Sequence, residues 1–420
     1  MGSAAISAQN AGVAVATNNT ANANTEGYSR QSVGFNASIG PPVDGGVTTG
    51  ATTRYASDLL STRIRANTGS LAQSTQSQLA LSDLENTLTS SGTIDTKFAA
   101  LFNKIATANA TPTDSVARDA VVQATRDLGS AINTQAKDIS DAQHQADLRI
   151  TDNVPTANSL ITQLAASNKL VAQSNDPTAS DKRDLLAKQL SEMVGGTARI
   201  DKDGQMRFVL DNGAVLVDGT HAAKLATTND PTTGYTQIQV KDGNNVRDVT
   251  SSLGGKISAD VSFRDVTAKN AADALDRVAY NTAVTLNGVH SANAALDGST
   301  GHNMYIPPFV VSGAAAALKI DPQLDADSAN LALGTTGAGP GDNRGGQALY
   351  ALASANVSNG KTFTDASNAI IADVGAAGSA AKNDMQRDQL ISDNLAGLRD
   401  SFAGVDTQEE LTNLARFEHA

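Results

Sequence analysis

The first half of the chain places apolar residues at helical intervals. Between residues 71 and 110 these positions are mostly three or four apart, and over 121–171 the interval averages about 3.5 residues, as in a coiled coil. This spacing predicts long antiparallel helices with a thin seam. Pro155 lies inside the second pattern, where we expect it to kink or split the helix. Asp181 is predicted to cap a further helix, which stops at Gly195-Gly196.

From about Ala198 to Phe263 apolar residues alternate with polar ones instead. Turn dipeptides interrupt this stretch at Asp203-Gly204, Asn212-Gly213, Asp218-Gly219 and Asp242-Gly243. The segments between and after them read QMRFVL, AVLV, YTQIQV and ISADVSF. Alternation bounded by such dipeptides predicts short antiparallel strands joined by tight turns. We therefore predict a β-rich domain inserted between helical segments.

Helical spacing returns over Val266–His290 and Phe363–Phe402. Gly404 is expected to end the second of these helices, and Asp406 with Glu409 forms a capping-box-like start for a final one. Neither half of the chain buries its own apolar face, so the halves must meet. The predicted fold class is α+β: an elongated multi-domain protein, in which the N- and C-terminal halves form a long-helix bundle with an inserted antiparallel β-rich domain.

These changes of pattern divide the chain into predicted domains. Residues 1–50 are a terminal assembly segment, made of part of an amphipathic helix, an Asn-rich loop and an extended arm. The other domains are a helical bundle (51–195, 264–295 and 340–403), a β-rich outer domain (196–263 and 296–339) and the start of a C-terminal helix (404–420).

The Asn-rich stretch reads NNTANANTEGYSRQ, from Asn18 to Gln31, and carries almost no charge. Asn and Gly tolerate left-handed backbone, and Asn side chains bond nearby backbone groups. Such a segment has too little apolar surface to order alone. We therefore predict an assembly loop that is disordered in the free monomer and takes one shape only between subunits. The amphipathic helices at the two ends are likewise expected to find no sufficient cover within the chain.

Composition narrows the possible functions. The chain has 420 residues, is 40% hydrophobic and 4% aromatic, and carries a net charge of −12. This charge and the lack of Lys/Arg runs disfavour binding to nucleic acid or to an anionic membrane surface. The absence of cysteine excludes disulfides and thiolate metal sites. The chain opens with no signal-peptide pattern and holds no apolar run of membrane-spanning length, so we expect a cytoplasmic protein or one exported by another route.

Motifs for enzyme chemistry are weak. ANVSNGKT, Ala355–Thr362, resembles a loose phosphate-binding loop, but a helical pattern precedes it where a buried strand is required. The Gly-rich segment 337–346 also lacks a preceding strand, and Pro340 removes one N–H group from any phosphate cradle. The five histidines show no metal-binding spacing, and Asp201–Gly204 lacks the later ligands of a calcium loop. We predict no catalytic, cofactor or metal site.

Asn18–Gln31 resembles the segment that bacterial flagellar axial proteins carry behind an N-terminal helix. Its ending, Gly27–Gln31, is most similar to the family of hook-associated protein 1, FlgK. Five further segments resemble that family in the right order: Arg54–Ser70, Ser180–Gly195, Gly254–Asp265, Gly339–Leu349 and Gly404–Phe417. The resemblance covers nearly the whole chain, and Gly341–Arg344 is one of its most specific parts. Compared with the family pattern, we expect the chain to be trimmed at both ends.

The resemblance implies a structural protein of the bacterial flagellum and not an enzyme. It implies a self-assembling axial subunit that joins hook to filament, is secreted through the flagellar type III system and serves motility. The terminal segments would pair into a coiled-coil inner tube. The implied partners are the hook protein, the second junction protein FlgL, like subunits in a helical tube, and an export chaperone whose binding segment is expected to be largely missing here.

The resemblance also assigns roles to individual residues. Ten residues near the termini are expected to make subunit-assembly contacts: Asn18, Asn19, Asn22, Asn24, Gly27, Tyr28, Arg30, Leu411, Leu414 and Phe417. Nine are expected to be structural residues of family motifs: Arg54, Asp58, Arg65, Arg183, Asp184, Gly341, Asp342, Asn343 and Arg344. The alternatives left open are a hook protein or FlgL, a nucleotide-binding enzyme using Ala355–Thr362, and a glycan-binding β-domain using Phe208 and Tyr235.

Overall fold

The computed structural model describes residues 2–38, 46–90, 93–174, 176–358 and 360–419. The helices are α1 Gly2–Asn22, α2 Asp58–Ser90, α3 Ile94–Ala110, α4 Ser115–Ser174, α5 Pro177–Val194, α6 Gly255–Ser262, α7 Ala268–Ser291, α8 Ala314–Ala317, α9 Pro322–Ala326, α10 Arg344–Ala351, α11 Phe363–Ala403 and α12 Thr407–His419. The strands are β1 Gln31–Ser38, β2 Gly46–Arg54, β3 Thr197–Ile200, β4 Met206–Val209, β5 Val215–Asp218, β6 His221–Ala222, β7 Lys224–Asn229, β8 Thr236–Asp242 and β9 Asn245–Asp248.

In the described parts of the chain the strands form antiparallel sheets of neighbouring segments. β1 pairs with β2, β3 to β6 form a meander, and β7 to β9 form a second meander. The predicted turn dipeptides join these strands or lie beside them, and their glycines have positive φ, for example 77° at Gly204 and 82° at Gly213. Long helices with an inserted antiparallel region confirm the predicted α+β class. Residues 39–45 of the predicted extended arm lie outside the described residues.

The chain divides into two compact units. Unit 1 contains residues 1–76, 147–261 and 381–420, and unit 2 contains 77–146 and 262–380. The boundaries fall inside α2, α4, α6 and α11, so a periodicity that follows one helix passes from one unit into the other. The predicted domain limits follow changes of pattern between helix and strand, which is a different criterion from compactness. They therefore stay a proposal.

In unit 1 the end of α4 and helices α5 and α6 cover the two meanders. Alternate strand residues point at these helices, as expected for strands with one buried face. The shared core includes Ile150, Ile161, Leu164, Leu190, Phe208, Leu216, Ile238 and Ile257. Phe208 is fully buried, which argues against its use in the glycan-binding alternative.

Unit 2 is a helical core with a long irregular connection between α7 and α10. The rings of Phe98 and Phe363 stack with their centroids 5.0 Å apart. The ring centroid of Phe102 lies 6.2 Å from that of Phe363. Other fully buried side chains of this unit are Leu101, Ile105, Leu128, Ile132, Leu275, Leu286 and Tyr305. This core follows the three- and four-residue spacing that predicted the helices.

Three predictions about elements are wrong, and a fourth, at Pro155, is wrong in part. ISADVSF lies in α6 and the turn after it, because short apolar runs satisfy both periods and the Gly254-Gly255 turn packs this segment against α5. The stretch 296–339 holds α8, α9 and isolated bridges where strands were expected. Helix α4 continues through Pro155, so the expectation that this proline splits the helix is wrong. Asp176, followed by Pro177, caps α5 in place of the predicted Asp181, which lies inside the helix.

Candidate assembly site

The two chain ends pack against each other in unit 1. The buried face of α1 is a stripe of small residues, Ala8, Gly12 and Ala16, spaced by four. A Cβ atom at position 12 would lie 3.0 Å from the ring of Phe417 in α12, so any residue other than glycine would shift the ring. The ring centroid of Phe35 lies 5.8 Å from that of Phe417. The two terminal helices therefore find partial cover in each other, which the sequence analysis did not expect, while Ile6 and Leu411 stay exposed.

Asn19 ties the end of α1 to the hairpin that follows. Its side chain is fully buried. Its Oδ1 accepts hydrogen bonds from the Tyr28 hydroxyl at 2.7 Å and the Gln31 amide at 2.9 Å, and its Nδ2 donates to the Gln31 carbonyl at 2.9 Å. One amide side chain thus satisfies three buried groups, which fixes where the chain leaves the helix and begins β1.

Tyr28 lies between the N-terminal and C-terminal segments. Burial raises the pKa of its phenol to about 12, and the carboxylates of Asp181 and Glu410 add to this effect. Burial also raises the pKa of Glu410, which lies in the first turns of α12. The Tyr28 carbonyl accepts a 2.6 Å hydrogen bond from the guanidinium of Arg399 in α11. Residues from both ends of the chain therefore meet at Tyr28, through its side chain and its carbonyl.

Arg30 adds a second link between the ends. Its amide donates to the Ala403 carbonyl at 2.8 Å, and its guanidinium donates to Glu409 at 3.0 Å. The same guanidinium lies 4.4 Å from the centroid of the Tyr55 ring, which is cation–π distance. Arg30 and Tyr28 were predicted from the resemblance, whereas their partners Ala403 and Glu409 are contacts that sequence reasoning missed.

The other asparagines of the predicted loop either bond to residues nearby in the sequence or are exposed. Asn18 and Asn22 belong to the last turns of α1, where the Asn22 amide donates to the Asn18 side chain at 2.7 Å. Asn24 is exposed, and Gly27 turns the chain with a φ of 84°. The structure corrects the loop prediction for residues 18–22. It also corrects the expectation that the segment takes its shape only between subunits, since its buried hydrogen bonds run to residues of the same chain.

Three charged side chains of the family motifs form a partly buried ion-pair cluster with Asp181. Arg54, at the end of β2, reaches Asp181 at 2.8 Å and Asp184 at 2.7 Å, both on α5. Arg65 of α2 lies 4.0 Å from Asp184 and also donates to the Ala198 carbonyl. Burial raises the pKa of Asp181, although Arg54 and the Ser29 amide oppose this shift. The cluster joins the hairpin, α2 and α5.

Arg183 and Asp58 extend the same cluster. Arg183 donates to the Gly204 carbonyl at 2.7 Å, which attaches α5 to the β3–β4 turn. Burial lowers the pKa of Arg183, while Asp184 and Asp58 oppose that shift. The motif residues from α2, β2 and α5 thus lie together, and their structural role stays a prediction. Asp181 completes the set and was missed, because its pattern position suggested only a helix cap.

A cleft of about 190 Å³ lies beside this cluster within unit 1. Helices α2, α5 and α11 and the turn around Gly27 line it. We call it the terminal cleft, and its apolar lining consists of Leu60, Ile64, Leu185, Leu395 and Phe402. The charged residues that line it are Glu26, Arg54, Arg65, Asp181, Asp184, Lys188, Arg399 and Asp400. The arrangement provides an apolar recess with a polar rim, which is the usual anatomy of a protein-binding site.

The last family motif lies in unit 2. Asp342 accepts hydrogen bonds from the amide and hydroxyl of Thr335 and a 2.9 Å bond from Arg344, and the Arg344 bond is the main reason that its pKa is lowered. Asn343 precedes the first turn of α10, and its side-chain amide donates to the Asn109 carbonyl at 2.7 Å. Gly341–Arg344 therefore shapes the entry to α10, as a structural motif does. This motif belongs to unit 2, whereas the terminal residues belong to unit 1.

The phosphate-binding alternative finds no support in the geometry. Helix α10 and a short 3-10 turn precede Ala355–Thr362, where a phosphate loop needs a strand. The Thr362 hydroxyl caps α11 by accepting from the Asp365 amide, and Asn359 lies outside the described residues. Across the described ranges, no group of three or more His, Asp and Glu side chains is placed to hold a metal ion. None of the described helices is both long and apolar enough to cross a membrane.

Comparison with known proteins decides the family. The family described as "Flagellar hook-associated protein FlgK helical domain" matches residues 81–305. The chain belongs to the FlgK family. Flagellar hook-associated protein 1 of Bacillus subtilis (strain 168) is 26% identical over 477 aligned positions, which cover 99% of this chain and 92% of that protein. The protein of the same name from Escherichia coli K12 is 23% identical, with 98% and 94% covered.

A solved structure shows the same fold. The chain matches the flagellar hook junction protein FlgK from Burkholderia pseudomallei with a TM-score of 0.72 and 15% identity, over 82% of this chain and 100% of that one. The predicted FlgK family is thus confirmed. FlgK is a structural protein family of the flagellum, which agrees with a hook-associated junction protein and not with the nucleotide-binding alternative.

Proposed function

We propose that this chain is an axial structural subunit of the flagellar hook–filament junction, which assembles with like subunits into a helical tube. The observation that carries the proposal is the α1–α12 pair, which Asn19, Tyr28 and Arg30 join to the rest of unit 1. In a FlgK-family chain whose two ends are joined in this way, α1 and α12 can contact neighbouring subunits together.

The assembly contacts are the side chains that the terminal pair leaves exposed. Ile6 is 59% exposed and Leu411 is 54% exposed, and Asn24 is exposed in the turn after α1. Asn19 and Tyr28 are buried and act by holding the pair in place. Leu414 and Phe417 are half-buried, and Phe417 lies against Gly12 of α1. Contacts between subunits are heterologous, because a tube that stays open at its ends requires different patches on the two sides of each subunit.

The partners follow from a junction position. On one side the subunit contacts the hook protein, and on the other the second junction protein FlgL. The chain reaches this place by secretion through the flagellar type III system with the help of an export chaperone. Family membership supports each of these steps, and a chain without cysteine passes an export channel unfolded without forming disulfides. The function is mechanical, with no catalytic step.

Binding to isolated hooks tests the proposal. Purified chain is added to hooks stripped of junction proteins, and its position is read by immunogold electron microscopy, with FlgL added in a second step. Label confined to the distal hook end, and FlgL binding only after the chain, supports a junction subunit. Growth of the hook would identify a hook protein, and an unlabelled hook end would overturn the proposal.

A matched pair of variants tests the contact surface. Leu411→Asp places a charge on the exposed face of α12, and Val246→Asp places one on β9, where the valine is 55% exposed. Both changes should leave the fold intact, because both side chains face solvent. We expect Leu411→Asp to lose hook-end labelling and Val246→Asp to keep it. Equal labelling by the two variants contradicts an assembly role for the exposed face of α12.

A further inference from the structure

Unit 2 presents an exposed apolar projection between α7 and α8. We call it the apolar knob; it consists of residues Ile306 to Val311 and reads IPPFVV. The side chain of Phe309 is fully open to solvent, with a relative exposure of 101%, and Val310 is 64% exposed. The knob begins one residue after the match to the FlgK helical domain ends, at residue 305. Adjacent exposed apolar side chains of this kind mark interaction sites.

The knob is held at its first end by a buried tyrosine. Tyr305 is fully buried, and its hydroxyl donates to the Thr125 carbonyl at 2.9 Å. The Asn287 side chain accepts from the amides of Met304 and Tyr305 and donates to the Tyr305 carbonyl. Pro307 and Pro308 follow at once and restrict the backbone.

The second end of the knob is held by a carboxylate. Asp276 of α7 accepts hydrogen bonds from the amides of Gly313 and Ala315, at 2.7 and 2.9 Å. A loop anchored at both ends and stiffened by two prolines loses little conformational entropy when it binds. Exposure of Phe309 is therefore built into the fold of unit 2.

The terminal cleft of unit 1 has the dimensions and lining that such a side chain needs. Its volume is about 190 Å³, and a dry apolar cavity of about 150 Å³ already holds a benzene ring. Leu60, Ile64 and Leu185 line it and are only half-buried, so they retain surface that a ligand can cover. Residues 303–318, which include the knob, carry no charge and so bring no unpaired ion into the recess.

We infer that the apolar knob of one subunit inserts Phe309 into the terminal cleft of a second copy of this chain. The inference rests on the proposed function and names one of its subunit contacts. Phe309 is uncovered within its own chain, so the cleft it fills belongs to another molecule. Knob and cleft are different surfaces, and every copy carries both. Their contact is heterologous and repeats without closing, which is the type of contact that an open helical tube requires.

Cross-linking between single-cysteine chains tests this contact. The natural chain has no cysteine, so each introduced thiol is the only one present. Chains carrying Val310→Cys are mixed with chains carrying Ser61→Cys, which lies in the cleft wall, and a short bismaleimide is added. The matched control replaces the first chain by Val116→Cys, at a position 73% exposed on α4. We expect the Val310–Ser61 mixture to give about tenfold more cross-linked dimer than the control.

A second substitution separates the aromatic contact from chance proximity. Phe309→Ala in the Val310→Cys chain should lower the cross-linked yield by about tenfold, because it removes the buried ring. Val116→Ala in the same chain should leave the yield unchanged. A yield that Phe309→Ala does not lower, or one no higher than that of the control mixture, overturns the inference.

The hook-binding assay distinguishes this failure from that of the proposed function. The cross-link is measured both on concentrated chain in solution and on chain bound to hooks. Labelling of hook ends without the cross-link contradicts the knob-in-cleft contact and still supports the junction role. A cross-link in solution without labelling of hook ends supports the contact and overturns the junction role.

Discussion

Removing the guanidinium of Arg54 should destabilise unit 1 far more than removing an exposed one. The side chain of Arg54 is 14% exposed and pairs with Asp181 and Asp184, which are 6% and 19% exposed. In Arg54→Met the stem of the side chain is kept and its charge is lost. Asp181 then retains the Ser29 amide at 3.0 Å, and Asp184 retains Arg65 at 4.0 Å.

The expected cost follows from the burial of the two carboxylates. Breaking a buried ion pair by removing one partner costs about 3–5 kcal/mol, because a charge is left in a poorly solvated place. Arg126→Met is the matched control, since Arg126 and its partner Asp325 are 42% and 41% exposed. Exposed pairs contribute about 1 kcal/mol or less. The two variants lose the same chemical group, so the difference between them measures burial.

Hydrogen exchange resolved by peptide is the suitable assay, because it reports the opening free energy of each unit separately. We expect Arg54→Met to lower protection in β2, α5 and the start of α2. The loss should shrink as the pH falls: burial already raises the pKa of Asp181, and a protonated Asp181 no longer leaves a buried charge. Adding Asp184→Asn should recover part of the loss. A cost for Arg54→Met no larger than that for Arg126→Met would refute the reasoning.

Three further predictions concern other parts of the fold. Gly12→Leu should displace the Phe417 ring and cost about 1–3 kcal/mol of α1–α12 packing, seen as faster proteolysis of both ends, whereas Gly397→Leu in open space on α11 should not. Tyr28→Phe should cost about 1 kcal/mol, measured by exchange of the Gln31 amide, and should remove a phenol with a pKa of about 12 from the ultraviolet titration. Burial lowers the pKa of His290 to about 4, against 6.5 in the unfolded chain, so the unfolded state binds more protons below pH 7. The free energy of unfolding of unit 2 should therefore fall by about 3 kcal/mol as the pH falls from 7 to 4. An equally steep pH dependence of that free energy in His290→Gln would contradict this prediction.

Much of the secondary structure was readable from local pattern. The apolar spacing predicted α3, α7 and α11, and the Asp-Gly and Asn-Gly dipeptides predicted the turns of the meanders. Asp406 does cap α12, where it accepts from the Gln408 amide at 2.9 Å. These signals are local, because a cap, a turn or a helical stripe involves residues only a few positions apart. The resemblance then named most of the charged residues of the ion-pair cluster.

Local pattern failed where a partner far along the chain decides the outcome. ISADVSF alternates like a strand, yet the packing of Gly254-Gly255 on α5 makes it helical. Asn18 to Asn22 look like loop residues, yet the burial of Asn19 against Gln31 and Tyr28 lets them finish a helix. In each case a tertiary contact outweighs a weak local preference.

The sequence by itself determined most of the helices, the turns of the meanders and the family of this protein. Only the tertiary structure decided that α1 lies on α12, that Arg54 faces residues 127 and 130 positions away on α5, and that a cleft opens beside them. The physical reason is that periodicity states which face of an element is apolar but not which other face covers it. That choice depends on shape and charge across the folded unit, as when a glycine at position 12 makes room for Phe417.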